Sequence, residues 1–428
     1  MTTLFPQTDQ IKTLQERKLR ELLEYVALHS PFYKELLARE HIATGSIRTL
    51  EDLPRIPTTN KSDLQTRNND FLCVPREKIA EYTATSGTLG SPVTIALTDG
   101  DLARLAENEY NSFVCADGSA AETYQLMLTL DRQFMAGIAY YSGLRKLGAG
   151  IIRVGPGVPA LQWETIQRLK PTTLVVVPSF LLKLIRYAND RHIDLGSSSV
   201  KKAICIGENI RNQDFSLNIL GRKITESWDI KLYSTYASTE MQTAFTECGA
   251  GKGGHLQPEL LIVELLDEHD QPVTPGTPGE VTITTLGIEG MPLLRYKTGD
   301  ICTWSDDPCS CGRRTLRLSP IIGRRQQMIK YKGTTLYPPA LFDLLGEMED
   351  VLDFAVEVYS NEVGLDEVLL HIVPAFGNVS EEGDHRIRAY LQARLRVSPH
   401  IEYLTQEQML KKQFPEAARK AIKFIDRR

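Results

Sequence analysis

Apolar positions divide the chain into three textures. In IKTLQERKLRELLEYVALHS, residues 11–30, Leu14, Leu19, Leu22, Leu23 and Val26 fall at helical steps and predict an amphipathic helix. Pro54 and Pro57 break that pattern ahead of a second short helix. From Tyr82 to about Trp228, strand-length apolar runs alternate with helix-like stretches: YQLMLTL at 124–130, GIIRV at 150–154, TLVVVP at 173–178 and KAICIG at 202–207. Such alternation predicts a layered α/β sheet with crossover connections. After about residue 255, ELLIVELLDEHDQPVTPGTPGEVTITTL reads as strand, Pro/Gly turns, strand, and RYKTGDICTW as a further strand pair, so a small β-rich subdomain is expected. Beyond Gly323, VLDFAVEV, EVLLHIVPAF and an Arg-rich helix near 385–396 predict a small α+β domain. The expected division is a large N-terminal domain, 1–322, and a C-terminal domain, 323–428. No fixed-period repeat is present.

Composition narrows the class. The 428 residues suggest two or three domains at about 150 residues each. Lys and Arg number 49 against 54 Asp and Glu, a net charge of −5, so no basic excess points to nucleic acid or an anionic membrane. Apolar runs are short, as in LVVV at 174–177, against the ~20 residues of a membrane span. The opening MTTLFPQTDQ lacks a charged-then-apolar leader pattern. Seven cysteines in so long a chain do not make a disulfide framework. The expectation is a cytoplasmic protein that handles small molecules in a cleft, with neither nucleic acid nor membrane as partner.

Three motifs could carry chemistry. YTATSGTLGSP, residues 82–92, gathers small hydroxyl residues around Gly87 and Gly90, a composition that lets N–H and O–H groups converge on phosphate oxygens. No lysine follows either glycine, which disfavours a P-loop, and a plain surface connector remains open. YSTYASTE, 233–240, ends in Glu240, either a Mg²⁺ ligand beside a phosphate-binding turn or a solvated loop acid. RYKTGDI, 295–301, sets Asp300 after a Thr-Gly turn, where it can accept two ribose hydroxyls or simply cap the turn.

Taken in order, TSGTLGSP, GEN at 207–209, YASTE, YKTGD and GRRQQMIKYKG at 323–333 resemble the adenylate-forming ligase superfamily. SPFYKELL at 30–37 and the stretch from TECGAGKGGHL through CSCGR to GRRQQMIKYKGTTLYPP resemble its phenylacetate–CoA ligase family. Such ligases join a carboxylate to the α-phosphate of ATP and then pass the acyl group to CoA. The resemblance implies Ser86, Gly87, Thr88 and Gly90 as the phosphate loop, and Tyr236, Ala237 and Ser238 along the nucleotide. It implies Thr239 at the α-phosphate, Glu240 on Mg²⁺ and Asp300 on the ribose. Gly207 and Glu208 would lie near adenine and acid, and Arg324 on the hinge side of the nucleotide. Lys420, in FPEAARKAIKFIDRR, matches the family's catalytic lysine, a mobile point charge suited to bridging phosphate and carboxylate; a surface lysine is the alternative. Position matching puts the acid pocket in LDRQFMAGIAYYSG, 130–143, with Phe134, Tyr140 and Tyr141 able to stack on an aromatic acid; plain core is the alternative there. Ala136 and Gly137 suggest space. The resemblance also implies a homodimer.

Three positions depart from the family pattern. Ser91 stands where a lysine is usual, Gln326 and Gln327 occupy a normally acidic hinge, and Arg419 replaces the glycine before the terminal lysine. These motivate two rivals: an adenylating enzyme that loads an aryl acid onto a carrier protein, and a non-catalytic nucleotide or acyl-CoA binder. Separately, Cys248, His255, Cys309 and Cys311 cluster in the β-rich region, whereas Cys73, Cys115 and Cys205 sit apart and Cys302 reads as core. Three thiolates and an imidazole suit structural Zn²⁺; four unconnected residues are the alternative. The Arg-rich helix HRIRAYLQARLR reads as a solvated amphipathic face.

Overall fold

The computed structural model describes residues 8–85, 93–362, 364–377, 379–395, 397–415 and 421–428. The chain forms two compact units. One comprises the residues up to Leu217 together with Gly221–Ile321, and the other Asn218–Leu220 together with Ile322–Arg428.

The first unit is organised by a nine-stranded mixed sheet. Five strands run parallel in the spatial order Lys231–Ser238, Lys202–Ile206, Thr173–Val176, Thr123–Leu126 and Gly150–Arg153. Every residue of Thr173–Val176 and Lys202–Ile206 is buried, as expected of parallel strands covered on both faces, whose sequences read as continuous apolar runs. The covering helices carry their own start and stop signals. Pro159–Leu169 and Pro178–Asp190 open on proline, where the missing N–H has no intrahelical partner to lose. Thr98 and Asp101 cap Asp99–Cys115 reciprocally, and Gly148, at φ 80°, closes Met135–Leu147 as only a residue free of Cβ strain does cheaply. Beyond Lys231–Ser238 the sheet turns antiparallel through Thr243–Glu247, Gly254–His255, Arg317–Leu318 and Trp304–Ser305.

The β-rich stretch forms an antiparallel sheet of Leu261–Leu266, Gly279–Thr285 and Tyr296–Cys302. The apolar face of the N-terminal helix, Thr8–His29, supplies Leu19, Leu22, Leu23 and Val26 to the same core cluster as Val281, Ile283 and Leu293. Gln15 is buried with them, its amide donating to the Leu261 carbonyl at 2.8 Å. No described helix is long and apolar enough to cross a membrane.

In the second unit, a sheet in the order His400–Tyr403, Asp366–Pro374, Val351–Ser360 and Phe424–Asp426 buries Val356, Val358, Leu370 and Ile372 against Ile387 and Leu391 of the Arg-rich helix Glu381–Leu395. Two arginines of that helix, Arg386 and Arg388, pair with Asp350 and Asp384. The last residue, Arg428, binds Asp366 and Asp426 and donates to the carbonyls of Gln326 (3.1 Å) and Met328 (2.8 Å). That grip ties the chain end to the Gln326–Gln327 segment.

Helices Asp99–Cys115 and Met135–Leu147 approach each other closely, and Gly143 makes this possible. A Cβ at Gly143 would lie 2.3 Å from the Glu109 Cβ and 2.9 Å from its carbonyl carbon, with no flexible tail able to move aside. Gly143→Ala is expected to lower stability by about 1–3 kcal/mol through overpacking, read as a reduced urea midpoint; an unchanged midpoint would contradict this packing.

Candidate active site

Open α/β sheets bind ligands beyond the carboxyl ends of their parallel strands, and here those ends carry the sequence motifs. Tyr236, Ala237 and Ser238 finish the Lys231–Ser238 strand, and Thr239 and Glu240, both half-buried, begin the turn that follows. Asp300 lies on the neighbouring sheet, after Gly299 at φ 82°. The Tyr236 hydroxyl donates to Asp300 Oδ2 at 2.7 Å, so two motifs 64 residues apart in the chain meet through a partly buried hydrogen bond. Burial, reinforced by Asp300, pushes the Tyr236 phenol well above its ordinary value; the phenol therefore stays protonated and orients the carboxylate. Among the described residues nothing pairs with Glu240.

The turn itself is held from behind. Arg104, buried on the Asp99–Cys115 helix, donates to the carbonyls of Gln242 (2.9 Å), Leu260 (2.6 Å) and Leu286 (2.7 Å) and to the Thr243 hydroxyl (3.2 Å). Four residues on, the Asn108 side-chain oxygen accepts from the Ala244 N–H at 2.9 Å. Gln242 adopts φ 47°, a left-handed conformation unfavourable for a side chain this size, and the Arg104 bond helps keep it there. Two polar residues in this region escaped the sequence reading. Gln242 is 1% exposed, and among the described residues neither atom of its amide has a partner. Glu109 is 4% exposed; Oε1 accepts from Asn108 at 2.9 Å while Oε2 has no partner among the described residues. Burial pushes Glu109 up to about 8 against the opposing Asn108 bond. An acid one helical step past an Asn on an otherwise amphipathic helix is the only sequence trace of this group.

Glu208 and Gly207 follow the Lys202–Ile206 strand, Gly207 at φ 76°. The Glu208 carboxylate accepts from the Ser179 N–H (2.8 Å) and hydroxyl (2.9 Å), anchoring the first turn of Pro178–Asp190. Phe134 is partly buried at the start of Met135–Leu147, and Tyr140 is 4% exposed within the core cluster beneath the sheet. The space expected at Gly137 is absent: a Cβ there would come 2.3 Å from the Thr129 carbonyl oxygen, so this glycine serves close backbone approach. Arg324 belongs to the second unit and is exposed ahead of the single turn Arg325–Gln327. Ser86, Gly87, Thr88, Gly90 and Lys420 lie outside the described residues. The residues that precede 86–92 are described: the Ala84 N–H donates to the Gln133 carbonyl at 3.0 Å, next to Phe134.

At the antiparallel edge of the large sheet, Cys248, His255, Cys309 and Cys311 converge, with their ligand atoms all within 4.8 Å of one another. The Cys248 and Cys309 sulfurs are 3.6 Å apart, and so are Cys311 Sγ and His255 Nε2. Two thiolates about 2.3 Å from one tetrahedral ion would stand about 3.8 Å apart, whereas a disulfide needs about 2.05 Å. His255 Nδ1 contacts the Thr315 hydroxyl at 3.1 Å, leaving Nε2 toward the sulfurs, as an outer-shell partner does for a ligating imidazole. Burial, with Arg313 and Arg317 nearby, pushes His255 down to about 3, so its ring is neutral and fit to ligate. Cys115 does not sit apart as its position in the chain suggested. It packs beside Cys248 and Cys309, with its thiol 3.2 Å from the Thr246 carbonyl.

A doubly covered parallel sheet with a hydroxyl-and-carboxylate turn at its strand ends and an aspartate across from it suits a nucleotide-handling enzyme. The chain belongs to the AMP-binding enzyme family, whose profile matches residues 17–289. Among characterised relatives, the phenylacetate–coenzyme A ligase of Thermus thermophilus is 29% identical over 401 residues, covering 89% of this chain and 88% of that one. The phenylacetate–coenzyme A ligase of Escherichia coli is 26% identical over 348 residues, covering 80% and 77%. The crystal structure of a 2-hydroxyisobutyryl-CoA ligase bound to 2-HIB-AMP superposes with a TM-score of 0.84 at 21% identity, covering 98% of this chain and 90% of that one.

Glu109 supplies a pH test of the interior. Its folded value near 8 lies above the ordinary 4.5, so the protonated form is favoured on folding. That stabilisation is complete below about pH 4.5 and is lost as pH rises through about 8. Glu109→Gln keeps the shape without the charge. Its melting temperature relative to wild type is expected to rise steadily from pH 5 to pH 8; a difference independent of pH would contradict the assignment.

Proposed function

We propose that the chain is an ATP-dependent acid–CoA ligase that activates an aromatic carboxylic acid as its acyl-adenylate. The observation that carries this reading is the Tyr236–Asp300 bond, which joins the YASTE and YKTGD motifs at the strand ends of an AMP-binding fold. In the first half-reaction an oxygen of the acid attacks the α-phosphorus of ATP and pyrophosphate departs. In the second, the CoA sulfur attacks the acyl carbon, AMP departs and the thiol proton passes to solvent.

The chemical difficulty is charge, since a carboxylate must approach a polyanion, and groups that stabilise developing charge on the phosphoryl oxygens lower that barrier. In this reading Asp300, oriented by Tyr236, holds the ribose, and Tyr236, Ala237 and Ser238 line the nucleotide. Thr239 donates to the α-phosphate, and the 86–92 loop takes the outer phosphates. Gly207, Glu208, Phe134 and Tyr140 border the adenine and acyl sides, and the resemblance adds Arg324 as a nucleotide contact. Lys420 places its ammonium between phosphate and carboxylate. Glu240, which has no protein partner among the described residues, would hold Mg²⁺, whose charge offsets that of the phosphates when it is bound. The exchange of pyrophosphate into ATP should require an acid and be abolished in Lys420→Ala while ATP binding persists. Full-rate exchange in that variant would refute the lysine's role, and its absence from wild type across a broad acid panel would refute the ligase reading.

The Cys248, His255, Cys309 and Cys311 set fits Zn²⁺ by donor type and spacing, a closed four-ligand site that staples loops and leaves no open position for catalysis. Metal analysis of freshly purified protein is expected to find about one zinc per chain, lost together with thermal stability in Cys309→Ala; zinc-free wild type of full stability would refute it. The reading extends to a cytoplasmic homodimer, supported for the compartment by seven cysteines that form no disulfide.

A further inference from the structure

Gln242 and Glu109 are not explained by the fold. Interiors almost always pair their polar side chains, because a buried donor or acceptor left alone keeps its full desolvation penalty. Gln242 leaves both amide atoms without a partner among the described residues, at 1% exposure. It cannot easily turn away. Its carbonyl is held by Arg104, its N–H lies 3.3 Å from the Ser238 carbonyl, and its φ is already 47°. The residue stands two positions past Glu240, in the connection between the strands that bear Tyr236 and Phe245. Met241, beside it, shares a hydrophobic cluster with Met135 and Ala139 of the helix that begins after Phe134. Glu109 meets the same helix one turn beyond Ala139. It lies against Gly143 and close enough to Tyr140 to raise that phenol's pKa, with Oε2 unpaired. Burial keeps its carboxyl protonated near neutral pH, so it can donate as well as accept.

A purely hydrocarbon acyl group would leave these already buried groups with nothing to bond. A hydroxyl or amino group would satisfy them, since each can donate to one atom of an amide and accept from the other. We infer that the acid activated by this chain carries a hydroxyl or amino substituent read by the Gln242 amide, with Glu109 as the second polar group at the acyl end. The inference rests on the ligase reading above and narrows its substrate class. A site that hydrogen-bonds a substituent discriminates strongly against the analogue lacking it.

The test is acid-dependent pyrophosphate exchange by the full chain. Phenylacetate is compared with its 3-hydroxy, 4-hydroxy and 4-amino derivatives, and isobutyrate with 2-hydroxyisobutyrate. Wild type is expected to favour the polar member of at least one pair by about a hundredfold or more in kcat/KM. Gln242→Met, of similar size and without the amide, should cut that preference at least about tenfold and melt no lower than wild type. Glu109→Gln should cut it less, because its amide still donates and accepts. Equal or better use of the unsubstituted acids overturns the inference and leaves the ligase reading standing. So does a polar preference that Gln242→Met leaves intact, or a Gln242→Met protein that melts well below wild type, which would mean the amide has a structural partner. Exchange with no acid at all overturns the ligase reading itself and removes the basis of the inference.

Discussion

The Arg104 guanidinium is the constraint on which the proposed site depends. A buried cation is tolerated only when its donors are satisfied, and Arg104 spends them on three carbonyls and a hydroxyl drawn from Gln242, Thr243, Leu260 and Leu286. Those acceptors come from the turn after the YASTE strand and from one end of the adjoining sheet, where Leu260 and Leu286 flank the paired strands Leu261–Leu266 and Gly279–Thr285. One side chain thereby joins the Asp99–Cys115 helix to the two sheets that carry Glu240 and Asp300. Burial holds Arg104 down to about 10, still charged at any physiological pH. Because three of its four bonds go to backbone oxygens, it sets the course of the chain largely whatever side chains the turn presents.

The cysteine and histidine cluster plays a comparable part at the antiparallel edge. There the strands are short: Gly254–His255, Trp304–Ser305 and Arg317–Leu318 have two residues each, too few for ladder bonds alone to hold. Bringing residues 248, 255, 309 and 311 to one point closes those loops on one another. Arg313 supports the arrangement by donating to Cys311 Sγ at 3.5 Å. Opposing its burial, bonds from Arg313 hold the Cys311 thiol below the ordinary value.

Much of this architecture was legible in the sequence because its signals are local. LVVV and KAICI are apolar throughout since parallel strands are covered on both faces, and the observed strands Thr173–Val176 and Lys202–Ile206 fall within the expected runs. The Tyr236 and Asp300 motifs were recognisable by residue type, and the structure supplies the bond between them. Gln242 and Glu109 were not legible, because an unpaired buried amide or acid is defined by what surrounds it. In one dimension Gln242 is a polar residue after a motif, and Glu109 one charge among several on a helix. Cys115 was misjudged for the same reason: its distance along the chain hides its position under the Thr243–Glu247 strand. Gly137 looked like room for a ligand and is instead a contact between backbones.

The central claim is that the acid is activated through its own oxygen on the α-phosphate. Carboxylate-labelled ¹⁸O acid, turned over with ATP and CoA and followed by mass spectrometry of the products, tests it directly. One labelled oxygen should appear in the phosphate of AMP, because the bond broken by the thiol is the acyl carbon–oxygen bond. Label in inorganic phosphate with ADP as the other product, or no label in any phosphate, would contradict the account.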